Sequence, residues 1–261
     1  MDMTKVFDIQ RINPEPGDYY ADNGALMCGR CNVRKEIEDK RNGTFLPVMC
    51  DCEMIAKQKA EALEKRKARY AKLPKEHRHH FSESDGRSGK AEAIAKRYVE
   101  RFDNAKNIDM CGLLFYGDVR KGKTFLAGCI ATELAERGER VNIASMAELV
   151  AQAQEHGFDR DSWVKRILSC DLLVIDDLGV ERSTPTAFEI VFHIIDGRSK
   201  QKRPLIVTTN LDLKQLTNPA QIENTRIYAR ILEMCFPVKV ESSKGMVKRE
   251  SYDEAKALYL S

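Results

Sequence analysis

The octapeptide GDVRKGKT, residues 117–124, constrains this chain more than any other stretch because it matches a phosphate-binding loop. It satisfies the pattern G-x-x-x-x-G-K-[ST] and stands in the required context. The apolar run GLLFY before it predicts a strand, and the helical pattern after it ends at Gly138. The alternative is an ordinary strand-turn-helix with a chance lysine, which this context disfavours. In such a loop, backbone N–H groups and the helix N-terminus hold phosphates, Lys123 reaches the β and γ oxygens and the Thr124 hydroxyl binds Mg²⁺. The predicted nucleotide-binding residues are Gly117, Asp118, Val119, Arg120, Lys121, Gly122, Lys123, Thr124, Phe125 and Asp176.

The middle of this loop carries two charged residues, Arg120 and Lys121, where a phosphate cradle is usually rich in glycine. If the backbone at Arg120 adopts a positive φ, a residue other than glycine costs about 1–2 kcal/mol there. The flanking Gly117 and Gly122 are present, and the added positive charge suits anion binding. We therefore expect a nucleotide site, but not tight binding or fast turnover.

Polar side chains follow two further strand patterns. DLLVIDDLG places Asp176 and Asp177 at the end of a buried strand, where α/β sheets open their ligand crevice. Asp176 is predicted to hold the metal through water, and Asp177 to position or deprotonate the attacking water. PLIVTTN ends in Thr208, Thr209 and Asn210, whose amide is a candidate holder of that water. The alternatives are two solubilising aspartates and an Asn that forms a turn.

From about residue 90 onward, strand patterns alternate with helical patterns, which indicates an α/β fold with a parallel sheet covered on both faces. The mixture of Pro, Gly, Ser and charge in PKEHRHHFSESDGRSG predicts a linker. We expect an N-terminal part at residues 1–73, a linker at 74–90 and a second domain at 91–261.

Four of the eight cysteines fall in one short polar stretch, as Cys28-x-x-Cys31 and Cys50-x-Cys52. Two close pairs at this separation fit a tetrahedral thiolate site for Zn²⁺. An iron–sulfur cluster and a reduced, buried set are the alternatives. Because C-x-C is tighter than the usual second pair, a histidine is the alternative fourth ligand, although a solvated linker is the favoured interpretation of His77, His79 and His80.

The bulk composition excludes a strong global field, because 43 basic and 40 acidic residues give a formal net charge of +3. After Cys52, however, EMIAKQKAEALEKRKARYAKLP predicts an exposed helix with seven basic and three acidic residues. The apolar runs are shorter than a membrane span needs, and the N-terminus lacks the apolar segment of an export signal. We expect a soluble cytoplasmic protein without a membrane partner.

These motifs, together with GRSKQKRP and TRIYARIL, give residues 95–240 a resemblance to the AAA+ ATPase domain of DnaC/DnaI-type replicative helicase loaders and the related IstB transposition helpers. The resemblance implies that Lys123 and Thr124 are Walker A, that Asp176 and Asp177 are Walker B, and that Asn210 is sensor 1. It further implies that Arg226 or Arg230 is an arginine finger on a neighbouring subunit's ATP, so that subunits associate through their ATP sites. Members commonly carry Gly where this chain has Arg120.

The cysteine module resembles the small zinc-bearing N-terminal domain of some loaders, especially those of phage type, whereas IstB proteins generally lack it. The resemblance therefore implies a loader that uses ATP, Mg²⁺ and Zn²⁺. It also implies that the N-terminal part and the basic helix contact a DnaB-type helicase or DNA. The competing interpretations are a transposition helper ATPase, and a zinc-bearing adaptor that binds nucleotide without hydrolysing it.

A single-stranded DNA contact is suggested by the aromatic and basic side chains of Trp163, Lys165 and Arg166. For Trp163 we favour packing in the core beside Ile167, and the role of the two basic residues stays open.

Overall fold

The structure, a computed structural model, describes residues 13–41, 43–108, 111–179, 184–219 and 222–241. The chain divides into two compact units, residues 1–65 and 66–261. The division falls inside helix α1 (Asp51–Lys72), upstream of the expected linker.

The first unit is built from short antiparallel strands. Strand β1 (Tyr19–Tyr20) pairs with β2 (Leu26–Met27), and β3 (Glu36–Asp39) pairs with β4 (Thr44–Pro47). Its described buried apolar residues are Ala25, Leu26, Cys28 and Cys50. So small a core stabilises a unit of this size weakly, and such units usually depend on a disulfide or a metal.

An ion-pair network centred on the buried Lys35 adds to this core. The Lys35 ammonium lies 2.5 Å from a Glu53 carboxylate oxygen, 2.9 Å from Asp18 and 3.1 Å from Glu15. These carboxylates raise the pKa of Lys35, with Glu53 the largest cause, so the lysine is charged at every ordinary pH. The network joins the start of α1 to the loop that precedes β1.

Helix α1 has no buried residue along its length, which confirms the predicted exposed basic helix. Asp51 and Glu53 lie in its first turn and Arg69 and Lys72 in its last, the arrangement that the helix dipole favours.

The segment expected to be a linker is ordered instead. It forms single 3-10 turns at Lys75–His77 and Phe81–Glu83, and both His77 and Phe81 are buried. The interpretation of the histidines as solvated was therefore wrong for His77. Leu73 and Phe81 join the hydrophobic cluster formed with the helix that follows the phosphate-binding loop, and this packing outweighs the polar composition of the segment.

The second unit is built round a five-stranded sheet in the order β6-β7-β8-β5-β9, and every pairing in it is parallel. Its strands are β5 (Gly112–Tyr116), β6 (Val141–Ser145), β7 (Leu172–Leu178), β8 (Leu205–Thr209) and β9 (Cys235–Lys239). The sequence predicted the first four. It did not predict β9, a short edge strand that contains Pro237, and proline is tolerated at sheet edges.

Helices cover both faces of this sheet, which confirms the predicted α/β class. Successive residues of β5 alternate between two hydrophobic clusters, with Leu114 in one and Leu113 and Phe115 in the other. Trp163 is 4% exposed and belongs to the first cluster, so its predicted core packing is confirmed. The helices of the unit are α2 (Gly89–Glu100), α3 (Phe102–Ala105), α4 (Lys123–Arg137), α5 (Met146–Glu155), α6 (Arg160–Ser169), α7 (Pro185–Lys200), α8 (Leu213–Thr217) and α9 (Ile222–Met234).

Candidate nucleotide and metal sites

The loop at residues 117–122 joins β5 to α4 and curls through left-handed backbone conformations. Gly117 has φ 129° and Gly122, the N-cap of α4, has φ 95°, values that glycine adopts without steric cost. Lys123 is 5% exposed, and its ammonium donates to the carbonyl oxygens of Gly117 at 2.9 Å and Asp118 at 2.7 Å. The lysine is therefore held inside the curl that its motif predicts.

Arg120 has φ 61°, in the left-handed region that disfavours residues with a β-carbon. Arg120 therefore has the positive φ at which a residue other than glycine is disfavoured, and this conformation costs about 1–2 kcal/mol. Strain of this kind is concentrated at functional sites, where the surrounding structure holds it in place. The Arg120 side chain is exposed beside the cavity described below.

The first carboxylate of the acidic pair on β7, the predicted Walker B aspartate, is fixed by two threonines. Asp176 is 5% exposed, and its Oδ1 accepts hydrogen bonds from the Thr124 hydroxyl at 3.0 Å and from the Thr208 hydroxyl at 2.5 Å. Thr124 and Asp176 thus meet as the two motifs predict. Oxygen ligands of these two kinds suit Mg²⁺, which is bound through a few protein oxygens and water.

A backbone irregularity in β7 sets the direction of the Asp177 side chain. The pairing of β7 with β8 shifts between Ile175 and Leu178, and Asp177 within the shift has φ 53°. Such a bulge re-aims a side chain, and Asp177 is exposed between buried neighbours. Its backbone N–H donates to the Thr208 hydroxyl oxygen at 2.9 Å.

The pKa of Asp177 is raised above the ordinary value for aspartate. Partial removal from solvent is the largest cause, and the nearby Asp176 carboxylate adds to it, while Lys123 and His77 act in the opposite direction. A carboxylate with a raised pKa is a better proton acceptor, as expected of a group that activates water.

One cavity of about 420 Å³ brings most of the predicted residues together. Asn210, which follows β8, lines this cavity together with Asp177 and the loop. The lining comprises Val119, Arg120, Lys121, Gly122, Lys123, Thr124, Asp177 and Asn210.

A neighbouring cavity of about 230 Å³ is lined in part by the predicted residues Arg120, Lys121, Gly122 and Phe125. It adds residues from the segment at 83–88, which the sequence predicted to be linker. The Ser88 hydroxyl donates to the Lys121 carbonyl oxygen at 3.0 Å, and the Phe125 ring lies 5.2 Å from that of His79. The segment before α2 is therefore part of the wall beside the phosphate-binding loop.

The two candidate finger arginines lie on α9, outside the described lining of both cavities. Arg226 is exposed. Arg230 is ion-paired within the chain, with its Nη1 2.8 Å from Glu233 and its Nε 3.4 Å from Asp196. Neither position tests a role on a neighbouring subunit, which stays a prediction.

The four N-terminal cysteines form one cluster, with all four sulfurs within 4.8 Å of one another. The Sγ atoms of Cys28 and Cys52 are 3.4 Å apart, and those of Cys50 and Cys52 are 3.1 Å apart. A tetrahedron with Zn–S bonds of about 2.3 Å has sulfur–sulfur edges of about 3.8 Å. Cys28, Cys31, Cys50 and Cys52 therefore fit a structural zinc site without a histidine.

The acidities of these thiols also suit a cation. Backbone N–H groups of Arg30 and Cys31 lower the pKa of Cys28 to about 6, whereas hydrogen bonding with the Cys50 and Cys28 thiols raises the pKa of Cys52. Neighbouring thiolates repel one another, and a bound dication removes that conflict.

The remaining cysteines, Cys111, Cys129, Cys170 and Cys235, are each buried in the second unit. They behave as small apolar core residues. Among the described residues, no helix combines the length and apolar character that a membrane span requires.

A five-stranded parallel sheet, a phosphate-binding loop after β5 and an acidic pair on β7 together define an AAA+-type P-loop ATP-binding domain. The family model described as IstB-like ATP binding protein matches residues 38–252, and the chain belongs to this family.

Individual relatives agree with this assignment. The replicative helicase loader DnaC of Escherichia coli (strain K12) is 32% identical over 127 residues, which are 47% of this chain and 50% of that protein. The chain therefore spans about half the length of the curated relatives it matches.

Among solved structures, one titled as the crystal structure of the DnaI has 27% identity and a TM-score of 0.53, covering 65% of this chain and 95% of that one. A crystal structure of the DnaC helicase loader has 22% identity and a TM-score of 0.54, covering 64% of this chain and all (100%) of that one. The second likeness shows the shared fold alone.

Proposed function

We propose that this protein is an ATP-dependent helicase loader that binds a DnaB-type replicative ring helicase and places it on single-stranded DNA. The observation that carries the proposal is the joined Walker site, in which Thr124 and Asp176 are hydrogen-bonded beside a buried Lys123. The similarity to proteins named replicative helicase loader DnaC supports helicase loading as the work that ATP drives. An intracellular location follows from a role in replication.

ATP is the proposed nucleotide, with its phosphates on the loop at residues 117–122. Lys123 would turn from the carbonyls of Gly117 and Asp118 to the β and γ phosphate oxygens, exchanging neutral acceptors for charged ones. Thr124 and Asp176 would hold Mg²⁺. The adenosine end would lie toward Phe125 and the segment at residues 83–88.

Hydrolysis requires a water molecule aligned with the γ phosphate. Asp177 is proposed to orient it and accept its proton, and Asn210, which lines the same cavity, to hold it in line. An arginine of a neighbouring subunit, Arg226 or Arg230, would complete the charge stabilisation. Turnover would then be slow in the isolated chain and would rise when subunits associate through their ATP sites.

Zinc is proposed for the cysteine cluster, in a structural role. Four thiolates close a tetrahedral shell, so no coordination position is left for chemistry. The N-terminal unit and the exposed basic helix α1 are the proposed contacts for helicase or DNA.

The family description favours one other function, that of a transposition helper ATPase that acts on duplex DNA with a transposase. The cysteine cluster favours the loader. The strained Arg120 keeps a third candidate open, a zinc-bearing adaptor that binds ATP without turnover.

A pull-down with the replicative helicase of the same genome, with and without ATP, tests the proposal. A loader captures the helicase, and the Lys123→Ala variant does so without a response to ATP. Capture of a transposase in place of the helicase would identify the helper. Helicase capture without any ATP hydrolysis on assembly would identify the adaptor.

A further inference from the structure

A third cavity of the ATPase unit lies at the amino ends of the strands, whereas the phosphate-binding loop follows the carboxyl end of β5. It has a volume of about 510 Å³ and borders the amino ends of β6 and β7, whereas the Walker B residues stand toward the carboxyl end of β7. Its lining includes four basic side chains and no acidic one: Arg69, Lys72, Arg140 and Arg166. Nothing in the nucleotide site uses this cavity.

One of these charges is compensated within the chain, and a second only weakly. Arg140 makes a two-pronged ion pair with Asp171, with Nη2 to Oδ1 at 2.7 Å and Nε to Oδ2 at 3.1 Å. Arg166 stands 3.8 Å from Asp159, but both side chains are more than half exposed, at 57% and 64%, so that pair is weak.

Arg69 and Lys72 have no carboxylate within ion-pair distance in the described parts of the chain. The cavity therefore presents a net positive charge.

The end of α1 is held in place, so these two charges are not on a loose helix. Leu73 is 2% exposed in the hydrophobic core. The Arg78 guanidinium caps the helix end, with Nε to the Leu73 carbonyl oxygen and Nη2 to that of Ala71, both at 2.9 Å, and it lies over the Tyr70 ring. A β-carbon at Gly138 would lie 3.3 Å from Arg69 Nη1, so Arg69 crosses the turn that leads into Arg140.

The basic side chains of the lining come from separate elements: Arg69 and Lys72 lie on α1, and Arg166 lies on α6. Several cations in one cavity suit several phosphates in succession better than a single small anion. Asn142 and Ser169 add polar side chains to the lining, and none of its described residues is aromatic. Without an aromatic side chain for base stacking, recognition is confined to the backbone and is independent of sequence.

We propose that this cavity is a phosphate-backbone site for single-stranded nucleic acid, with Arg69, Lys72 and Arg166 on the phosphates. This proposal rests on the DNA-binding part of the proposed function and names the residues that would contact the DNA. It also assigns Arg166, which the sequence left open, whereas Lys165 is not among the lining residues.

Fluorescence anisotropy with a labelled oligo-dT over a range of salt concentrations tests the site in the full chain. The double variant Arg69→Gln with Lys72→Gln removes two phosphate contacts. The slope of log affinity against log salt concentration should fall in magnitude by about 1.4, which corresponds to about 25-fold weaker binding at 0.1 M salt. The matched control, Lys75→Gln with Lys214→Gln, loses the same charge from exposed positions outside the cavity and should bind as the wild type does.

Two other outcomes would overturn the proposed site, and they differ in their consequence for the proposed function. If the wild type binds the oligonucleotide and both double variants bind equally well or equally poorly, the cavity is not the site, although the proposed function stands. If the wild type does not bind, the DNA part of the proposed function fails as well. Thermal unfolding and ATP binding verify that the double variant is folded.

Calorimetry with free mononucleotide distinguishes a small-anion site from a nucleic-acid site. The experiment uses the Lys123→Ala variant, so that binding at the phosphate-binding loop does not contribute to the measured heat. Heat that disappears when Arg69→Gln and Lys72→Gln are added would show a small-anion site in place of a nucleic-acid site. Absence of such heat supports the proposal.

Discussion

Thr208, on β8, donates a 2.5 Å hydrogen bond to the Asp176 carboxylate on the neighbouring strand β7. The same hydroxyl accepts from the Asp177 backbone N–H at 2.9 Å. One buried threonine therefore holds both aspartates of the predicted Walker B pair, Asp176 through its side chain and Asp177 through its backbone.

Replacing Thr208 with valine keeps the shape and removes both bonds. We expect a loss of about 1–3 kcal/mol in the free energy of unfolding, because a buried N–H loses its partner. We also expect a fall in the hydrolysis rate larger than the fall in ATP affinity. Denaturant unfolding and steady-state ATPase assays measure the two effects.

Thr209→Val is the matched control. Thr209 is equally buried, and its hydroxyl donates to the Leu178 carbonyl oxygen and accepts from the Leu211 N–H, away from both aspartates. It should lose similar stability and keep the hydrolysis rate per folded molecule. Equal catalytic loss in both variants would show that Thr208 has no special part in the site.

Arg120→Gly should relieve the strain at φ 61°. The gain of about 1–2 kcal/mol from the left-handed backbone is offset by about 0.5–1 kcal/mol of glycine chain entropy, which leaves a net stabilisation of up to about 1.5 kcal/mol. ATP affinity should be kept or improved. Thermal unfolding and titration with a fluorescent ATP analogue measure these quantities.

The control is Lys121→Gly in the same loop, whose backbone is not in the left-handed region. That variant should gain no stability. A large loss of nucleotide binding in Arg120→Gly would mean that the arginine is itself a phosphate ligand, and the strain would then serve to place it.

Local pattern predicted residues that the structure brings together at the phosphate-binding loop, because residues adjacent in sequence build most of that region. Lys123 and Thr124 begin a helix, and Asp176 follows an unbroken apolar run in β7. Thr208 could not be assigned in the same way, since its partners come from a strand about thirty residues away whose register only the folded sheet fixes.

Tertiary structure also determines three other features that the sequence did not predict. His77 lies in a polar stretch and is buried by tertiary packing, which outweighs composition. Strand β9 is too short and too irregular in pattern to predict, yet it completes the sheet beside β5. The pairing of Arg230 with Asp196 joins two helices that the sequence could not place next to each other.

Zinc should copurify at about one atom per chain and be lost when Cys28→Ser is combined with Cys31→Ser, because two thiolates do not close the shell. Mass spectrometry of the metals measures this. ATP binding should survive, since residues 66–261 have their own core. Cys129→Ala, which removes a buried thiol outside the cluster, should retain the metal. A metal-free protein, or iron with a visible chromophore, would contradict the assignment.

An arginine supplied by a neighbouring subunit typically contributes about 10³–10⁵ in rate. Arg230→Ala should therefore bind ATP normally and hydrolyse it poorly. Mixing it with Lys123→Ala should restore part of the activity, because a mixed interface pairs an intact loop with an intact arginine. Steady-state hydrolysis across mixing ratios measures the rescue, and Arg226→Ala is tested in the same way.

Glu233→Gln is the control for the ion pair, because it removes a partner of Arg230 without changing the guanidinium. It should leave hydrolysis intact. If the mixture stays inactive and Arg230→Ala alone loses ATP binding, the arginine acts within its own subunit.

The central claim is that ATP bound at the joined Walker site drives helicase loading. The direct measurement is the transfer of the replicative ring helicase of the same genome onto closed circular single-stranded DNA, followed by isolating the circles and quantifying the helicase on them. With ATP, the wild-type chain should increase the helicase on the circles, and Lys123→Ala should not. An equal amount of helicase on the circles with wild type, with Lys123→Ala and without any added chain would contradict the account.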